Sequence, residues 1–376
     1  MKITVSKTEL FSKLKILGKV IQAKNTLPAY DDFLFVMDND GILTVTAAEE
    51  GGRITTNIDC QSDFKDSRFT INAKTIIEAL KEIPEQPLII HIIPNDKCVE
   101  IICSYSNGKF SLVGQLGKDY PEMSFLQPSQ PIVLQTADFL HGIRQVKMCC
   151  ANDQLRPVMN GVYFDRDLDS ISYVATNGST LAVIEYPAEH VGERSTFIIP
   201  SRYASILCGI IPADCEQICI IVSSNNACFE FDNYRLYCRL IEGRYPNYRS
   251  VIPKMNDKFA IADTDSMISA LKRTSVFTDQ NTMAIKLSFQ DKLYIQVQNI
   301  DYSTSAEESL ELDSYKGKSI EMGFNGTYLI EVLSNISSEK VCSSMKETNL
   351  ATILTPVEED CGSKLLYIIM PIVINF

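Results

Sequence analysis

Several stretches of this 376-residue sequence hold residue types that could do chemistry, and each stops short of a working set. Gly317-Lys318-Ser319 ends like a phosphate loop, but a phosphate loop needs a glycine five positions earlier, and Leu312 stands there. Asp38-Asn39-Asp40-Gly41 opens like a calcium loop whose twelfth position is Glu49, yet no ligand pattern lies between. A tight hairpin turn accounts for the same four residues. His91, His141 and His190 have no serine or cysteine near them in sequence, and no Gly-x-Ser-x-Gly occurs. The twelve cysteines form no Cys-x-x-Cys pair; Cys149 and Cys150 are adjacent, and Cys215 and Cys219 have three residues between them. With three histidines in the chain, no segment offers four zinc ligands. The expectation is therefore no catalytic residue, no metal and no cofactor, with the cysteines as small buried hydrophobes in a reducing compartment. A hydrolase built on Cys149/Cys150 with a partner base is the competing reading.

The elements that would position any site follow from pattern. Apolar residues make up 45% and charged residues 22%, an ordinary globular composition. The longest apolar runs, such as LIIHII at 88–93, are strand-sized and too short to cross a bilayer. MKITVSKTEL has no apolar signal core, so a cytoplasmic protein without membrane partners is expected.

The sequence repeats. FTINAKTIIEALKEIP (69–84), FIIPSRYASILCGIIP (197–212) and MGFNGTYLIEVLSNIS (322–337) align without gaps: a short strand, then a helix opening at Ala73–Lys74, Ser201–Arg202 or Gly326–Thr327. Pro84 and Pro212 stop the first two helices. ITVSKTELFSKL near the start resembles VLQTADFLHGI (133–143) and IADTDSMISAL (261–271), again strand, polar turn and amphipathic helix. KFSLVGQLGKDYPEM (109–123) aligns with YRLYCRLIEGRYPNY (234–248), their Tyr-Pro pairs 125 residues apart. Between helices the pattern alternates as in antiparallel strands, for example LTVTA (43–47) and KLYIQVQ (292–298). A period this long is a domain, not a solenoid unit. The predicted fold class is α+β: three repeated domains, 1–128, 129–255 and 256–376, each with two helices packed on antiparallel sheets.

Charge separates along the same lines. Residues 1–24 carry six lysines against Glu9, and the six helical segments together sum to +7; with −12 overall, the remainder holds −19. Helices that face a polyanion while the outer surface repels it would give this partition. Solvated helix faces would give it too.

One segment remains: GRYPNYRSVIP (243–253), too rigid and aromatic for a plain linker. Together with MKITVSKTELFSKL at the start, TLP at 26–28, MNGVYF (159–164), VATNGSTLAV (174–183) and YIIMPI (367–372), it resembles the bacterial DNA polymerase III beta subunit family, the sliding clamps, over the whole length. The resemblance implies a head-to-tail homodimer, a six-domain ring lined by twelve helices around double-stranded DNA, bound without regard to sequence. It implies a processivity role in replication, with partners that insert a short apolar-tipped peptide: the polymerase alpha subunit, the clamp loader and other proteins bearing that motif. Matched position by position, the peptide pocket takes Thr176, Gly178, Leu181, Pro246 and Val251 from the second domain. The third domain adds Asn325, Tyr328, Leu350 and Thr352, and the end of the chain adds Ile369, Met370, Pro371 and Ile372. Lys24 and Arg156 match DNA-contacting positions, with Pro157 and Val158 where aromatic residues often follow. Phe110 and Leu112 match one side of the dimer interface, Val276 and Phe277 the other. This chain departs from the family at Asn177, Ser179, Thr180 and Ser250, where basic or acidic residues are usual, and in its terminal VINF, whose Phe376 could extend the pocket. A ring-shaped scaffold with no nucleic-acid role is a third reading, which the charge partition opposes.

Overall fold

The computed structural model describes residues 1–121, 130–187, 193–358 and 362–374; the expected domain boundary at 128/129, His190 and Phe376 lie outside the described residues. Six α-helices occur among the described residues: α1 (Lys7–Leu17), α2 (Ala73–Lys81), α3 (Thr136–Val146), α4 (Ser201–Ile210), α5 (Thr264–Ser275) and α6 (Gly326–Ser334). Their starts coincide with the polar turns of the repeat. The side chains of Ser6, Asn72, Asp263 and Asn325 accept first-turn N–H groups of α1, α2, α5 and α6. Each such cap stabilises its helix by about 1 kcal/mol. The apolar spacing sets the buried face: Leu10, Leu14 and Leu17 on α1, and Met267, Ala270, Leu271 and Thr274 on α5. No helix among the described residues is long and apolar enough to cross a membrane.

The chain divides into two compact units, Met1–Phe139 with Ile206–Leu240, and Leu140–Ser205 with Ile241–Phe376. The division falls inside the middle repeat. In the first unit, a five-stranded sheet runs Cys60–Ser62, Lys2–Ser6, Pro87–Pro94, Val99–Tyr105, Gly108–Gly114. An eight-stranded sheet is a fusion: four strands of the middle repeat, ending in Tyr234–Arg239, continue into four of the first, beginning with Gly52–Ile58. At this seam Leu236 lies opposite Ile54, both fully buried. The second unit repeats the device. Its nine-stranded sheet joins Thr180–Pro187 of the middle repeat to Lys364–Ile369 of the third, with Ala182 opposite Tyr367. A separate four-stranded sheet ends on Thr304–Glu311. All these pairings are antiparallel.

Two sequence expectations change. The gapless alignment of 109–123 with 234–248 is out of phase in the strands. Tyr105 pairs with Gly108 at one hairpin and Phe231 with Tyr234 at the other, which makes Phe110 the counterpart of Leu236. A one-residue slip exchanges inward and outward faces, and the shared Tyr-Pro had hidden an extra residue before it. The lysine excess of residues 1–24 is also partly internal. Lys7 is 9% exposed with its ammonium over the Phe11 ring, Lys13 is bonded to Glu9 and the Asn57 carbonyl, and Lys19 to the Gly209 carbonyl.

Candidate partner-binding site

The segment 243–253 is an aromatic strap fastened across the second unit. Tyr245 stacks on Tyr163 at 4.5 Å between ring centres, nearly parallel, and Tyr248 meets the same ring edge-on. Such ring pairs add about 0.5–1.5 kcal/mol each beyond the area they bury. The Tyr248 hydroxyl donates to Asp165 Oδ2 at 2.8 Å and accepts from Arg249 Nε at 3.0 Å. Burial pushes the Tyr248 phenol up to about 12 and the Tyr245 phenol higher still. With both tyrosines turned inward, one helical turn at Tyr248–Ser250 delivers Val251, Ile252 and Pro253 to the surface.

There they line a groove of about 510 Å3 together with Lys254, Met255, Asn256, the loop residues Lys346 and Asn349–Ala351, and Met370. Its floor belongs to an apolar cluster containing Val174, Leu181, Tyr245, Tyr248, Ala351 and Ile368. Its rim leaves Val251, Met255, Leu350 and Met370 exposed by 58, 74, 40 and 43%, an apolar surface in the open that marks a place for a partner.

Some of the expected pocket residues are linked by backbone pairing, and three of them line this groove. The turn at 177–179 is locked: Asn177 Oδ1 accepts from Ser179 N and Thr180 N, and the Thr176 hydroxyl donates to the Thr180 carbonyl. Gly178 holds φ +92°, a backbone state that favours glycine. From that turn Ser179 accepts the Met370 N–H, and Thr180 lies opposite Ile369, which lies opposite Thr352. Two residues on, Ile372 N donates to the Gly323 carbonyl. Val251, Leu350 and Met370 line the groove itself. Thr176, Leu181, Thr352 and Ile369 are buried supports, while Pro246, Tyr328, Pro371 and Ile372 are half-buried. Asn325 is spoken for as the cap of α6, accepting from Thr327 N and Tyr328 N.

Sequence reasoning passed over Ile252–Asn256 and the 346–349 loop. Met255, an apolar residue placed between Lys254 and Asn256 shortly after Val-Ile-Pro, was the available signal.

The other expected residues fall elsewhere. Arg156 is bonded to Asp153 at 2.9 Å, and its Nη1 lies 3.0 Å from where a Cβ on Gly178 would stand, which sets it beside the pocket turn. Lys24 is exposed. Phe110 and Leu112 are half-buried on Gly108–Gly114, and Val276 and Phe277 follow α5 with 77 and 41% exposure.

The candidate chemistry resolves into structure. Asp38 Oδ1 accepts from Asp40 N and Ile42 N in the hairpin after Asp32–Met37, and Gly317 occupies a turn at φ +128°. His141 Nδ1 lies 2.6 Å from the Tyr186 hydroxyl and its Nε2 3.2 Å from Gln145, while His91 is an exposed strand residue. Burial pushes the Cys149 thiol up to about 11 and that of Cys150 to about 12, away from the nucleophilic thiolate that a cysteine hydrolase needs.

Comparison with known proteins decides the family. Three family descriptions match in succession: DNA polymerase III beta subunit, N-terminal domain, over residues 1–124; central domain over 133–247; C-terminal domain over 249–373. The chain belongs to the DNA polymerase III beta subunit family. It is similar to the beta sliding clamp of Vibrio cholerae, 22% identical over 372 residues that cover 99% of this chain and 100% of that one. The beta sliding clamp of Escherichia coli is 23% identical, covering 99% of each. Among solved structures, the beta subunit from Streptococcus pyogenes superposes with a TM-score of 0.92 at 19% identity, over 99% of this chain and 100% of that one. That from Pseudomonas aeruginosa gives 0.90 at 21%, also over 99 and 100%. The fold is thus three clamp domains, and the family is that of a processivity factor without catalysis of its own.

Proposed function

We propose that the chain is a DNA sliding clamp, a cytoplasmic homodimer closing head to tail around duplex DNA and tethering the replicative polymerase. The observation that carries this is the pattern of seams. Strands of neighbouring repeats join edge to edge at Tyr234–Arg239 with Gly52–Ile58, and again at Lys364–Ile369 with Thr180–Pro187. Two edges of the same type remain paired on one side only among the described residues, Gly108–Gly114 of the first repeat and Thr304–Glu311 of the third. An open edge invites another strand, and a third seam made between two chains, used twice, closes six domains into a ring. Phe110 and Leu112 lie on one of these edges, while Val276 and Phe277 present exposed apolar surface from the third repeat.

In this reading the domains are 1–128, 129–255 and 256–376, and helices line the channel. Lys24, free of any ion pair among the described residues, contacts phosphate without reading bases. Arg156, the second expected DNA contact, serves the groove side of its loop as well. The groove with its supporting residues takes the apolar-tipped peptides of the polymerase alpha subunit, the clamp loader and other partners, which then act at high effective concentration on the DNA they share.

The test is retention on plasmid after gel filtration, using a matched ATP-driven clamp loader. Retention on circles with loss on linearisation is expected. Equal loss from both, with a dimer and an active loader verified, overturns the ring.

A further inference from the structure

We propose that the groove accepts more than the apolar tip of a partner peptide, and that its outer end selects an acidic side chain flanking that tip. The inference rests on the groove being a peptide site. Besides Val251, Met255, Leu350 and Met370, the lining of the groove includes two lysines, Lys254 and Lys346. Neither lysine has an ion pair among the described residues. Their neighbour Lys258 does: it lies 2.8 Å from Asp257 Oδ1 and also donates to the Lys346 carbonyl at 2.7 Å, which fixes the base of that loop. Asp257 is thereby engaged by Lys258, and the other acid of this loop, Glu347, is exposed beside Lys346 in sequence.

The remaining cations around the groove are engaged too. Arg156 is held by Asp153 at 2.9 Å, and Arg249 lies 3.4 Å from Asp165. The positions around the turn, Asn177, Ser179, Thr180 and Ser250, are uncharged. A chain of net charge −12 repels acidic peptides at a distance, so a local pair of lysines without a direct ion pair in the lining of an apolar groove favours one register over others. Met255, 74% exposed, supplies apolar surface on which the stem of a glutamate can lie between tip and lysines.

The experiment measures fluorescence polarisation of the full-length protein with one labelled apolar-tipped hexapeptide, bare or extended by Glu-Glu, Gln-Gln or Lys-Lys at either end. At low salt the Glu-Glu extension at one end is expected to bind about three- to tenfold tighter than Gln-Gln, the range two exposed ion pairs supply. Lys-Lys should bind more weakly than either. The advantage should collapse in the double variant Lys254→Gln/Lys346→Gln and in 0.5 M salt, about where screening shortens to a few ångströms. Equal affinities across the series, or a preference that survives in the double variant, overturn the proposal. So does a double variant that leaves the series unchanged while weakening retention on DNA, since the lysines then serve nucleic acid. If even the bare peptide fails to bind, or binds equally well to Met370→Lys, the peptide-site reading itself falls, an outcome distinct from a flat charge series.

Discussion

The Tyr-Pro pair that follows the last strand of a repeat stands at Tyr120 in the first unit and at Tyr245 in the second, and these two copies meet different surroundings. In the first unit Tyr120 closes a small cluster with Leu34 and Ala48, and its hydroxyl donates to the Asp32 carbonyl at 3.2 Å. The edge of that cluster is polar: Glu49 is buried and bonded to Gln22, and Tyr30 is raised by burial and by Glu50 and Glu49. In the second unit Tyr245 enters a larger apolar cluster, and around it stand Val251, Leu350 and Met370, which no sheet covers. The repeated fold makes both seams, and beside the second a groove opens. That groove is built from the strap after Tyr245, the 346–351 loop and the chain's end, parts contributed by the close of the second repeat, by the third repeat and by the tail. Fold and site are therefore separable in this molecule, and substitutions can show how far.

Removing each tyrosine is the largest test. Tyr245→Ala and Tyr120→Ala both delete a buried ring, and each is expected to lower stability by about 3–5 kcal/mol, read by denaturant melts. Peptide affinity should divide them: it is lost in Tyr245→Ala and unchanged in Tyr120→Ala under conditions where both remain folded. Equal loss in both would mean that the two seams share one site.

A smaller effect is expected at Gly323. A Cβ there would stand 2.4 Å from Ile374 Cγ2 and 2.7 Å from the Ile372 carbonyl oxygen, so the tail must shift. Because Met370 and Ile372 are held by one backbone bond each, to Ser179 and Gly323, that shift moves a wall of the groove. Gly323→Ala should weaken peptide binding about tenfold, roughly 1.4 kcal/mol, and the added Ile374→Ala should restore part of it. Dimer mass and melting should hardly change.

How much of this the sequence carried depends on which kind of signal each feature leaves. Helix starts were legible because Ser6, Asn72, Asp263 and Asn325 are caps that work through local chemistry. Strands were legible through alternation, but alternation reports a face and not a partner, so the seams between repeats were invisible. For the same reason 109–123 was placed one residue out of phase. The charge count includes Lys7, Lys13 and Lys19 in the helical excess, though contacts made only in the folded chain engage them. In the site, Val251, Leu350 and Met370 came from the family likeness. Lys254 and Lys346 needed three dimensions, because they stand 92 positions apart in the sequence.

The smallest effect belongs to a single hydroxyl. Tyr248→Phe keeps the ring against Tyr163 and removes the bonds to Asp165 and Arg249, which remain 3.4 Å apart and paired; a loss of about 1 kcal/mol at neutral pH is expected. Its pH dependence is more telling. Burial raises this phenol from 10.0 to about 12, so the folded state holds its proton where the unfolded chain releases it. A group raised on folding contributes stability that is intact below pH 10 and drains away as pH climbs towards 12. Chemical denaturation of the wild type from pH 9 to 12 should therefore fall more steeply than that of Tyr248→Phe, the two curves converging at the alkaline end. Tyr120→Phe in the first unit should flatten its own alkaline limb, since burial raises that phenol too, yet leave peptide affinity at pH 8 untouched. Parallel curves for Tyr248→Phe and wild type would mean that this hydroxyl is solvated, and that the strap is held by its rings alone.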